Sequence, residues 1–112
     1  YLGDVILKTT YDQIYDEHTF LFSVHSIQYL FNQFDMEVIN VEPQETHGGS
    51  MRYVIAHQGE KPVQDNVHKQ LDFERKLGLI DSVTFDHFRQ NCEKYRSDLM
   101  DLLNDIKSRG NF

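Results

Sequence analysis

The stretch YDQIYDEHTF, residues 11–20, places two tyrosines, three carboxylates and a histidine within eight positions. A histidine among acids is equipment for proton transfer, because imidazole titrates near neutral pH and a neighbouring carboxylate can orient it. Asp12, Asp16 and His18 also form an oxygen and nitrogen donor set for a metal, although no HExxH or paired-cysteine pattern accompanies them. If residues 11–18 are helical, Tyr11, Tyr15 and His18 share one face and Asp12 and Asp16 another. The stretch would then be an aromatic stripe turned to a core and an acidic face turned to water. A second cluster is THGGS, residues 46–50. Gly48 and Gly49 allow positive φ or close approach of backbone to a ligand, with His47 beside them. The alternative is an ordinary glycine turn between strands, with His47 in solvent. His25, His57, His68 and His87 are expected to be partly exposed and carry no pattern of their own.

These clusters must be held by the elements around them. Val24, Ile27, Leu30, Phe31 and Phe34 recur at helical spacing, with Ser23 or Ser26 placed to cap the helix. MEVINVE, from residue 36, and SMRYVIAH, from residue 50, read as short β-branched strands joined by a loop holding Pro43, Gly48 and Gly49. A loop that short predicts an antiparallel pair. Residues 1–10 show a pattern too broken to assign.

Beyond Gly59 and Pro62 the chain reads as helix. Val63, Val67 and Leu71 form one stripe, and Gly78 is placed to end that helix. Asp81 or Ser82 can cap a longer one, which Gly110 ends. Its seam of Phe85, Phe88, Cys92, Tyr95, Leu99, Leu102 and Ile106 resembles a coiled-coil stripe. That seam is expected to pack against the preceding helix or the α/β half in preference to a second copy. Cys92, on the seam, reads as a small apolar residue rather than a nucleophile.

Composition narrows the function. The chain has 112 residues, enough for one core. A net charge of −7 argues against a broad phosphate contact with nucleic acid. No apolar run is long enough for a membrane span. The single cysteine fits a reducing, cytoplasmic compartment. A start at Tyr1 rather than Met leads us to expect a piece of a larger protein.

Taken together, DQIYDEH and THGGSMRY resemble the sugar C-methyltransferase family, which uses S-adenosylmethionine in deoxysugar biosynthesis. Its members carry Tyr-x-Glu-His before a helix, here Tyr15, Glu17 and His18. They also carry His-Gly-Gly-Ser followed shortly by Arg, here His47, Gly48, Gly49, Ser50 and Arg52. The detailed likeness covers about residues 1–60, and it departs at Asp16, where many members have a second histidine.

The resemblance implies an α/β fragment: the helix–strand–strand end of a Rossmann-like methyltransferase domain over residues 1–60, then a helical start of the C-terminal domain over 61–112. It implies a nucleotide-sugar substrate and S-adenosylmethionine bound mainly by parts outside this chain. Zinc is expected in the parent enzyme only, with none in this chain. The isolated piece is expected to be inactive. Carbon methylation needs a base to remove a proton beside a ketone and a donor to the resulting enolate oxygen. The resemblance and this chemistry assign His18 as base, with Glu17 polarising or orienting it. Tyr15 and His47 become donors, and Gly48, Gly49, Ser50 and Arg52 substrate contacts. Two other readings stand beside this one: an interaction module dimerising through residues 85–106, and a metal-dependent hydrolase using Asp12, Asp16 and His18.

Overall fold

A computed structural model describes residues 1–110; Asn111 and Phe112, which the expected helical segment included, lie outside the described residues. Four helices and one two-stranded sheet follow in the order α1 (Leu2–Lys8), α2 (Val24–Asn32), β1 (Met36–Gln44), β2 (Ser50–His57), α3 (Asp65–Leu77) and α4 (Ser82–Ser108). The helix–strand–strand unit and the helical segment after it are therefore present. Residues 2–8, which the sequence pattern left open, form a short helix that buries Val5.

The core lies between the hairpin and two helices. Val24 and Ile27 of α2, Val38 and Val41 of β1 and Val67 of α3 are buried together. Val38 and Val41 are three apart, so strict alternation would turn them to opposite faces. The register shift between Val38 and Asn40 inserts Ile39 as a bulge and resets the parity. Val38 then pairs with Ile55, Val41 with Tyr53 and Pro43 with Met51. All three β2 partners pack on the core cluster. The extra residue is used: the Ile39 carbonyl accepts from the backbone N–H of Gln64, at the entry of α3, at 2.8 Å.

α2 begins where Ser23 and Ser26 cap one another's backbone N–H groups, at 3.1 Å and 2.9 Å. Its first turn also receives a side chain from far along the sequence. Glu74 of α3 is fully buried. It accepts from the backbone N–H of Val24 at 2.6 Å, the backbone N–H of His25 at 3.1 Å and the Tyr1 hydroxyl at 2.9 Å. Nδ1 of His25 lies 3.1 Å from the same carboxylate. A helix N-terminus presents unpaired N–H groups and a positive dipole end, so a carboxylate suits it. The change in composition near residue 60 is thus not a break in packing, because Glu74 joins α3 to α2 across it.

Gly78 adopts left-handed φ of 80° and ends α3 as expected, with its N–H on the Glu74 and Arg75 carbonyls. Asp81 precedes α4, but its side chain makes no capping hydrogen bond. The 27 residues of α4 make a helix ~40 Å long in a molecule whose longest dimension is 66 Å. Of the expected packing of α4 on α3 or the α/β half, little occurs beyond a small contact with α1. No described residue of α4 is buried, and Leu99 and Leu102 are 50% and 54% exposed. The reason is geometric: Val67 and Leu71, the apolar stripe of α3, are already spent against the hairpin and α2. Cys92 on the seam is half-buried. Among the described residues, no helix is long and apolar enough to cross a membrane.

Candidate functional site

Residues 9–23 connect α1 to α2, and they do not form the α-helix that would have sorted their side chains onto two faces. Thr9, with φ of 51°, ends α1 in a left-handed conformation. A single 3-10 turn follows at Tyr11–Gln13, and then a tight turn in which the His18 N–H meets the Tyr15 carbonyl at 2.8 Å. The far end of the loop is tied to the start of α1, where the Leu2 N–H donates to the Phe22 carbonyl at 2.8 Å. A connection of this length with so little regular structure is a common seat of function.

His18 is fixed by this loop in position and in tautomer. Its Nδ1 lies 2.6 Å from the Gln13 carbonyl oxygen. A carbonyl only accepts, so Nδ1 carries the proton, and in the neutral ring Nε2 is left as the free acceptor. The Tyr15 ring packs on the imidazole with centroids 4.1 Å apart. Glu17 is exposed and forms no ion pair with His18 among the described residues; the Gln13 carbonyl orients the ring instead. Asp12, Asp16 and His18 do not converge: among the described residues no three histidine, cysteine or acidic side chains gather as a metal site.

The second cluster reaches the same place from the tip of the hairpin. Three successive residues take positive φ: His47 at 52°, Gly48 at 79° and Gly49 at 136°. For histidine this is a sparsely populated conformation, and such outliers persist where surrounding structure holds them. Here Lys8 Nζ donates to the Gly48 carbonyl at 2.6 Å. The folded turn brings His47, Gly48, Gly49 and Ser50 to a cleft that His18 and Gln13 also line. Its volume is about 220 Å³. That is below the ~300–1,000 Å³ usual for a drug-sized ligand and suits one ring with its substituents.

Arg52 is not brought to the cleft. Its register position opposite Glu42 puts it on the face of the hairpin away from Met51 and Tyr53, and its guanidinium lies 3.0 Å from the Glu42 carboxylate. Tyr15 touches the cleft only through His18. Five of the eight residues singled out from the sequence therefore line one cavity: His18, His47, Gly48, Gly49 and Ser50.

A match to a family of known proteins takes in the His47–Ser50 turn but begins after the loop that carries His18. Residues 45–112, more than half of the chain, match the model of the C-methyltransferase C-terminal domain. The chain belongs to that family. It is also similar to the C-methyltransferase NovU of Streptomyces niveus, with 27% identity over 111 residues, 98% of this chain and 26% of NovU. The chain thus spans about a quarter of the length of that curated relative.

Some lining residues of this family member escaped the sequence reading. Tyr53 lines the cleft with a buried hydroxyl that has no hydrogen-bond partner among the described residues. Burial, and then the charge of Glu74, push that phenol well above its ordinary range. The Tyr1 hydroxyl, also at the cleft, is raised chiefly by burial and accepts from Gln70 Nε2 at 2.8 Å. Strand alternation through Met51, Tyr53 and Ile55 is the signal that would have turned Tyr53 inward. Glu74 had a signal too, since it continues the stripe of Val67 and Leu71 at helical spacing.

Proposed function

We propose that this chain is part of a cytoplasmic C-methyltransferase acting on a carbon beside the keto group of a nucleotide-linked deoxysugar, and that it supplies the proton-abstracting side of the site. The observation that carries the reading is the meeting of His18 and the His47–Ser50 turn in one cleft, with Nε2 of His18 left free by the Gln13 carbonyl. Nε2 takes the proton from the carbon next to the ketone, and the electron pair left behind moves onto the carbonyl oxygen. His47 donates a hydrogen bond to that oxygen, while the backbone of Gly48, Gly49 and Ser50 borders the sugar. Tyr15 acts through its packing on the His18 ring, and neither Glu17 nor Arg52 is needed at the reacting centre. A cleft of about 220 Å³ holds the sugar and leaves the nucleotide at its mouth or on other parts of the enzyme.

S-adenosylmethionine supplies the methyl group in this reading. In folds that bind such nucleosides, a glycine-rich turn joins a parallel strand to a helix and approaches the ligand. Among the described residues the sheet is an antiparallel pair, and its glycine turn leads into another strand. These residues do not fit the cofactor, whose place is on parts of the enzyme outside this chain. The division of the parent at about residue 60, between a Rossmann-like domain and the C-terminal domain, belongs to the same proposal. So does the inactivity of the isolated chain.

The reading is tested by methyl transfer in the intact enzyme carrying His18→Asn. A lost general base lowers the rate ~10²–10⁴-fold. Methyl transfer at the unaltered rate would remove His18 from the role.

A further inference from the structure

Asp4 of α1 lines the cleft, and its carboxylate is held only by a long ion pair with Lys8. Its side chain is 28% exposed, and among the described residues it accepts no hydrogen bond. Lys8 Nζ stands 4.0 Å away and makes its hydrogen bond to the Gly48 carbonyl instead. Gly49 is shaped around this carboxylate. A Cβ at Gly49 would run into the Asp4 carboxylate, and φ of 136° already disfavours any other residue. The second glycine of the turn therefore makes room for an acid at the cleft wall. An ionised carboxylate only accepts hydrogen bonds, so the ligand group that satisfies it is a donor. A sugar ring offers hydroxyl donors.

We propose that Asp4 is a substrate-binding residue that accepts a hydrogen bond from a ring hydroxyl of the sugar held in this cleft. The inference rests on the sugar-methylating reading above. The two faces of the cleft then have different roles. His18 removes a carbon-bound proton, and Asp4 selects and orients the ring that presents it. Gly49 serves recognition indirectly, by admitting Asp4, in addition to any backbone contact of its own.

The test compares the intact enzyme with its Asp4→Ala and Asp4→Asn variants on the nucleotide-linked keto-sugar. It includes analogues in which each ring hydroxyl in turn is replaced by fluorine, which cannot donate. Losing a hydrogen bond to a charged group should raise KM roughly tenfold to a hundredfold in Asp4→Ala, with kcat within a few-fold. One fluorinated analogue should raise KM similarly with the natural enzyme and have no further effect in Asp4→Ala. A merely structural Asp4 would show no such coupling to a single hydroxyl. If Asp4→Ala fails to fold, Asp4→Asn, which keeps a neutral acceptor, should give a smaller rise in KM that is still coupled to the same single hydroxyl. Independence of the Asp4 and fluorine effects at every hydroxyl, or an unchanged KM, overturns the proposal. Solvent exchange at the substrate carbon in His18→Asn is a separate readout, so a failed base assignment is distinguishable from a failed Asp4 contact.

Discussion

The backbone carbonyl of Gln13 and Nδ1 of His18 lie 2.6 Å apart within one loop, and this contact sets which nitrogen of the neutral ring carries the proton. A side-chain acid could protonate or swing away, whereas a backbone carbonyl does neither. The loop itself thereby maintains the base-competent tautomer. The expected signature is spectroscopic. With the ring neutral, 15N shifts of His18 should show a protonated Nδ1 and a bare Nε2; the opposite tautomer would break the link between loop geometry and base function.

Glu74 should be the most sensitive single position for stability. Glu74→Ala leaves the N–H groups of Val24 and His25 without their buried acceptor and removes a partner of the Tyr1 hydroxyl. Breaking a buried charged arrangement on one side typically costs ~3–5 kcal/mol, a large part of a small domain's stability. Glu74→Gln, which keeps one acceptor oxygen, should cost less. Urea titration of the chain followed by circular dichroism gives both values, and equal, small losses would contradict the capping role.

High pH should weaken the fold through its two cleft tyrosines. Both phenols are raised above the ordinary value of 10.0, chiefly by burial. The folded state holds these protons more tightly than the unfolded chain. Their contribution is therefore complete below pH ~10 and declines as pH rises beyond it, where the unfolded chain has ionised first. Tyr53→Phe should flatten this alkaline decline without abolishing it, because Tyr1 remains. At neutral pH the same substitution removes a hydroxyl with no partner, so stability should hold or rise by ~1 kcal/mol. Thermal melts between pH 7 and 11 decide both points.

Local physics made most of the elements readable. The Ser23 cap, the two β-branched strands and the Gly78 stop each depend on a few adjacent residues, and each stands where the pattern put it. What escaped depended on distant partners. The loop over residues 9–23 is shaped by α1, through Leu2 and Phe22, so helical spacing within it had no meaning. The seam of α4 was legible as a stripe, but nothing within α4 says whether another element remains free to cover it. In the site, His18 and the His47–Ser50 turn were visible as residue types, and their meeting required the fold. Asp4, Tyr53 and Glu74 are ordinary residues in isolation, and each acquires its part from neighbours dozens of positions away.

The central claim is that His18, presented to the cleft by the Gln13 carbonyl, removes a proton from the carbon that is to be methylated. Exchange of that proton for deuterium from solvent isolates this step from methyl transfer. The natural enzyme in D2O, given its keto-sugar substrate, should incorporate deuterium next to the ketone, observed by NMR or mass spectrometry. His18→Asn should lose that incorporation while its substrate KM changes little. Undiminished incorporation in His18→Asn would contradict the account.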